Sequence, residues 1–232
     1  MENKFIKIFG ARRTGTNYLN VVLSKSFIIF PFHFYGHKHN IIHDEMHNIL
    51  NNKNEIKYND EPLNRNNVFV VISIKNPYAW ILSIIKWAKK NGKDPKSLKY
   101  YDMTNEEFII KECKIYNDKY KNWIDFYYRY VENCYIFLWE NSLFKNIDKH
   151  IEIIKNKFGL PYSEYKDSSF VDGNINAHSK VTSTTFNRDY YINMEYMDKY
   201  TPKQLKLARE NIDWSIFNRI HINRNLEKYY TP

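Results

Sequence analysis

The segment Gly10-Ala11-Arg12-Arg13-Thr14-Gly15-Thr16-Asn17 carries the residue types of an anion site. Two glycines bracket four residues. An apolar run from Phe5 to Phe9 precedes them, and a helical pattern from about Asn17 follows, with Tyr18, Leu19, Val22 and Leu23 at helix spacing. A turn between strand and helix aims backbone N–H groups and the positive end of the helix dipole at one point, where a phosphate or sulfate is held. The glycine spacing is that of a Walker A loop, but the loop's chemical groups differ. Thr16 stands where the phosphate-gripping lysine belongs, and Asn17 replaces the hydroxyl that holds magnesium. Positive charge has moved to Arg12 and Arg13, which suits a metal-free anion site gripped by guanidinium. Taken alone, the same residues also describe a turn with two solvated arginines.

The run Arg13-Thr14-Gly15-Thr16-Asn17-Tyr18 resembles the phosphosulfate loop of sulfotransferases, which reads Lys-Ser-Gly-Thr-Thr-Trp in the cytosolic members. A second stretch, Lys75-Asn76-Pro77-Tyr78-Ala79-Trp80-Ile81-Leu82-Ser83, resembles that family's 3′-phosphate motif. It follows Val68–Ile74, the best strand in the sequence. Lys75 at the strand end and Ser83 about two helical turns on share a face with Asn76, so cation and hydroxyl can meet one phosphate. Lys75 stands for the family's arginine, keeping charge but losing the bidentate fork. A third stretch, Trp139-Glu140-Asn141-Ser142-Leu143, resembles the family's Tyr-Glu-Asp-Leu segment. The resemblance spans residues 5 to 161. It implies a P-loop sulfotransferase-like fold, with 3′-phosphoadenosine 5′-phosphosulfate (PAPS) as donor, its desulfated product PAP, and no metal. It assigns donor binding to Arg12, Arg13, Thr14, Gly15, Thr16, Asn17, Tyr18, Lys75 and Ser83, and places Trp139 against the adenine.

Sulfuryl transfer needs a base for the acceptor's proton and cations for the departing oxygen. Five of the eight histidines lie between His33 and His47. In the sulfotransferases a Lys-x-His pair follows the second strand, so the resemblance makes His39 the first candidate base, Lys38 and Arg13 the leaving-group cations, and His37 the runner-up. His39, His43 and His47 at i, i+4 and i+8 also suit one helix face binding zinc with Asp44 or Glu45, or simply a solvated loop. The family closes its 3′-phosphate pocket with a basic loop near the C-terminus. Here that role falls to the region His178 to Arg188, with Lys180 and Arg188 as candidates.

The elements that must position these groups alternate: strand, turn, helix, repeated. That order predicts a three-layer α/β domain with a mainly parallel sheet flanked by helices, over 1–232 as one unit. A second strand is expected within Ser26–Tyr35, and a surface loop over 51–67. Helices are expected from Pro77 to about Lys89, from a capping box at Thr104 and Glu107 to about Tyr130, and from about Leu143 to Gly159. Two closing helices are expected, the second starting at Thr201-Pro202 with Gln204 at the capping-box position. Hydrophobic residues make up 43% of the 232 and aromatics 17%, ample for a core.

The formal charge of +9 favours an anionic partner without choosing one. Cys113 and Cys134 are too few for a disulfide framework or a cysteine zinc site. No stretch reaches the roughly 20 apolar residues of a membrane span, and no signal-peptide pattern opens the chain, so a cytoplasmic protein is expected. The favoured reading is a PAPS-dependent sulfotransferase acting on a hydroxyl or amine of a small molecule or glycan. The alternatives are a P-loop kinase, which lacks its lysine here, and a non-catalytic basic module binding nucleic acid or anionic glycan. Nucleic acid is disfavoured because the aromatics interleave with core positions.

Overall fold

A computed structural model describes residues 3–31, 37–53, 56–91, 99–139, 147–162 and 188–220. Strand β1 (Phe5–Gly10) and strand β5 (Val68–Ile74) lie side by side in parallel at the centre of a four-stranded sheet of order β2-β1-β5-β6. Strand β2 (Phe30–Pro31) is a two-residue edge on β1, and β6 (Cys134–Leu138) pairs in parallel with β5. All residues of β1 and β5 are buried, as a parallel strand covered on both faces requires.

Side chains of these strands alternate between two cores. Phe5, Phe9, Val70, Ile72 and Ile74 point to one face, while Ile6, Ile8, Phe69, Val71 and Phe137 point to the other. Helix α1 (Thr16–Ser26) and helix α5 (Ile147–Phe158) cover the second face through Leu19, Val22, Leu23, Ile151, Ile154 and Phe158. The first face is larger. It is covered by α2 (Asp44–Leu50), α3 (Pro77–Lys90), α4 (Glu106–Arg129), α7 (Pro202–Asn211) and α8 (Ser215–Arg219). The short α6 (Arg188–Ile192) runs into a 3₁₀ turn, Glu195–Lys199. The chain is therefore an α/β fold with a parallel sheet between helical layers.

Several local expectations change. Residues 51–67 do not form a plain loop: β3 (Ile56–Tyr58) and β4 (Glu61–Leu63) pair as an antiparallel hairpin, turned by Asn59 and Asp60 at positive φ. Asn and Asp tolerate that region because their short polar side chains bond locally, so the polar composition that suggested a loop belongs to the turn. Helix α4 is capped by Asn105, whose side chain accepts from Phe108 N–H. Thr104 is instead held by Asp102 through its N–H and its hydroxyl, so the expected Thr104–Glu107 box does not form. The box at Thr201 and Gln204 does form. Residues 143–146 of the expected third helix, and Phe32 to Tyr35 of the expected second strand, lie outside the described residues. No helix among the described residues is long and apolar enough to cross a membrane.

Strand β5 carries both cores, so it is the most sensitive element. Replacing Ile72, fully buried between β1 and β6, by Ala is expected to cost about 2–5 kcal/mol, read as a lowered urea midpoint at unchanged slope.

Candidate functional site

From β1 the chain crosses to β2 through α1 on one face, and from β5 to β6 through α3 and α4 on the other. The connections thus diverge between β1 and β5, whose C-terminal ends meet at the pair Gly10 and Ser73. A crevice opens at such a switch point, outside the carboxyl ends of the strands. Both sequence motifs sit there.

The loop after β1 is held by its own backbone. Ser73 Oγ donates to Thr14 O at 2.6 Å and Trp80 Nε1 donates to Arg12 O at 2.6 Å. The Thr14 hydroxyl donates to Ala11 O at 2.8 Å and its side chain is sealed. Thr14 therefore shapes the loop. Arg13 and Gly15 both have positive φ, 68° and 71°. Left-handed residues of this kind curl successive N–H groups into an anion-binding concavity. Gly15 has a second reason to be glycine: a Cβ there would lie 1.6 Å from Trp139 Cζ3. Arg12 and Arg13 are exposed, Tyr18 is half-buried, and Thr16 is buried as the first residue of α1.

The second motif assembles as its spacing implies. Asn76 caps α3 by accepting from Tyr78 N–H at 3.0 Å, so the eight residues from Lys75 place Ser83 back beneath it. Lys75, only 3% exposed, donates from Nζ to Ser83 Oγ at 2.7 Å. Its ammonium lies 5.7 Å from the Trp139 ring centroid and 4.8 Å from that of Tyr191 in α6. Trp139 thus touches Gly15 on one side and Lys75 on the other, tying the two motifs into one site.

The segment after β2 closes on the same loop. Gly10 N–H donates to Lys38 O at 3.0 Å, and His39 Nδ1 lies 2.6 Å from Gly10 O. A carbonyl only accepts, so Nδ1 carries the proton and Nε2 keeps its lone pair. Lys38 Nζ donates to the Asn17 side chain, bringing an ammonium to the start of α1, one residue from where a Walker lysine would stand. Helix α4 fixes this segment from outside. Lys119 Nζ donates to His39 O at 2.5 Å, Trp123 Nε1 to Asn40 O at 3.0 Å, and Ile42 N–H to Asn122 Oδ1 at 2.8 Å.

Electrostatics follow from burial among like charges. His39 is depressed to about 4, chiefly by burial and further by Lys38, His37 and Lys119, against the opposing Gly10 bond. Burial also lowers Lys38 and Lys119. His37 is exposed, its ring 4.9 Å from that of His39. The zinc alternative is not built, because α2 begins only at Asp44, with His43 at its cap and His39 in the turn before. His47 packs on Phe126 and Tyr130 instead.

Three further charged groups enter the site without having been singled out in the sequence. Lys7, 3% exposed on β1, is lowered to about 8 by burial and by Lys38. Lys119 holds His39, and Glu112, 9% exposed, lies within the field of Arg12 and Lys119. A signal existed: each is a charge at a core position of an otherwise apolar strand or aromatic helix stripe. Of the remaining candidates, Arg188 opens α6, while Lys180 and the stretch Glu140 to Leu143 lie outside the described residues.

No family model matches the chain, and no curated protein and no solved structure matches it either.

Gly15→Ala is expected to lose at least 2 kcal/mol of stability, since strain and the Trp139 clash add, whereas Gly159→Ala, also at positive φ but with open space, is expected to lose about 1. Paired urea titrations check the ranking. NMR titration of the His39 ring is expected to report a neutral Nδ1–H tautomer and a pKa near 4 in the free protein. His150, also lowered to about 4 by burial, behaves alike. Their folded values lie below the unfolded value of about 6.5, so the unfolded chain binds more protons between pH 6.5 and 4 and stability falls across that window as pH drops.

Proposed function

We propose that this site binds PAPS and transfers its sulfuryl group to an acceptor hydroxyl or amine. The observation that carries the reading is the convergence of the glycine loop with the Lys75–Ser83 pair through Trp139. A donor with a 5′-phosphosulfate and a 3′-phosphate needs two anion subsites of that kind on adjacent strand ends. The loop N–H groups, Arg13 and Lys38 form one. Lys75 and Ser83 form the other.

PAPS enters as a substrate and supplies an activated S–O bond. The chain's own residues do the rest. Nε2 of His39, aimed by the bond from Nδ1 to Gly10, takes the acceptor proton as the acceptor oxygen or nitrogen bonds to sulfur. The bond from sulfur to the bridging oxygen breaks, and its electron pair stays on the phosphate of PAP. Lys38 and Arg13 oppose that new charge. The donor's anionic groups raise the imidazole from its depressed value, so binding the donor arms the base. The cation at the start of α1 comes from Lys38, a separate segment, which favours this reading over a magnesium-dependent kinase.

Calorimetry with PAP tests the proposal. Micromolar binding without magnesium is expected, weakened at least tenfold by Lys75→Ala and by Arg13→Ala. Absence of binding at high micromolar PAP would overturn it, as would magnesium-dependent ATP turnover in its place.

A further inference from the structure

Lys119 of α4 uses one of its three N–H donors on the segment that carries the imidazole: Nζ donates to His39 O at 2.5 Å. Its side chain is half-buried and forms no ion pair with the described residues, so two donors of a charged group remain beside His39. Arg12 lies within the field of the same groups. Trp80 Nε1 holds its carbonyl at 2.6 Å, its side chain forms no ion pair with the described residues, and its charge acts on His37, Glu112 and Lys119. His37 stands next to His39, with ring centroids 4.9 Å apart. Its Nδ1 accepts from His39 N–H at 3.4 Å, so the neutral ring carries its proton on Nε2. Lys7 and Lys38 add their charge from β1 and from the turn before His39. Among the described residues a single carboxylate, Glu112, acts on Lys119 in return, and burial favours its neutral form.

Cations gathered in this way repel one another unless an anion joins them. In the proposed transfer the donor's two anionic ends are taken by the loop with Arg13 and Lys38, and by Lys75 with Ser83. Lys119, Arg12 and His37 belong to neither subsite, and Lys119 and His37 flank the residue that meets the acceptor. Arg12 offers a planar fork and Lys119 a point charge, a combination suited to an oxyanion. A neutral acceptor leaves these cations uncompensated, and a cationic one is repelled.

We propose that the acceptor carries its own anionic group, a carboxylate, sulfate or phosphate, received by Lys119 and Arg12 while a neighbouring hydroxyl of the same molecule faces His39. This assignment rests on the sulfuryl-transfer reading and gives it a substrate class. His37 borders the same group through its Nε2–H.

The test uses the full chain saturated with PAP and matched probes with and without charge in ligand-observed NMR. Glucuronate, glucose 6-sulfate and glucose 6-phosphate are set against methyl α-glucoside, and 4-hydroxybenzoate against phenol. Wild type is expected to bind at least one charged probe about tenfold or more above its neutral counterpart, as charge-assisted hydrogen bonds provide, and the probe that does so names the anionic group. Lys119→Gln keeps an N–H for the His39 carbonyl and loses the charge; it is expected to bring that pair within threefold, with PAP affinity matching wild type. Lys119→Arg is expected to restore the preference. Arg12→Gln, at an exposed side chain, is expected to narrow the same ratio without changing the melting temperature. A wild type that prefers no charged probe, or a ratio unmoved in both Lys119→Gln and Arg12→Gln, overturns the anionic acceptor while PAP binding keeps the transfer reading intact. Loss of PAP binding in wild type overturns both.

Discussion

Positive charge withdrawn from water at one edge of a parallel sheet is the constraint on which this structure turns. Lys75 and Lys7 are each 3% exposed, and Lys38 is half-buried at the start of α1. Burial opposes charge, and the neighbouring ammonium groups oppose it again; both effects act on Lys7. An arrangement of this kind is stabilised by an anion, and the loop N–H groups and helix dipole beside it favour the same ligand. Under the proposed reading, fixed cations take the place that a divalent ion holds in Walker-type sites.

Holding such groups together requires rigid support, and the sheet and α4 provide it. The pair Gly10 and Ser73 brings two strand ends level, so the loop and Lys75 begin at the same height. Tyr116 and Tyr120 clamp α4 to the carbonyls of Lys75 and Ser73, while Lys119, Trp123 and Asn122 of the same helix anchor the segment that carries His39. One helix therefore sets the distance between His39 and Lys75. Its aromatic stripe builds the core with its rings and the site with its polar tips.

Much of this was legible in the chain. The strand–turn–helix order gave the parallel sheet, because a continuous apolar run needs cover on both faces. The eight-residue interval between Lys75 and Ser83 anticipated a contact that forms, since helix periodicity is local and returns a side chain to the same face. The hairpin at 56–63 was hidden because its strands have three residues each, too short for alternation to register. The Thr104 box was misplaced by one residue, because Asp102 competes for the threonine's donors.

By itself the sequence determined what depends on neighbours along the chain: the buried strands β1, β5 and β6, the starts of α3 at Pro77 and α7 at Pro202, and that Gly15 lies in a basic turn. Only the tertiary structure decided what depends on distant segments meeting. It set the tautomer of His39 through a carbonyl 29 residues away, the ammonium that reaches Asn17, and the tryptophan that requires Gly15 to lack a side chain. Periodicity fixes the face a residue occupies, but the group it meets there is chosen by the packing of strands and helices far apart in sequence.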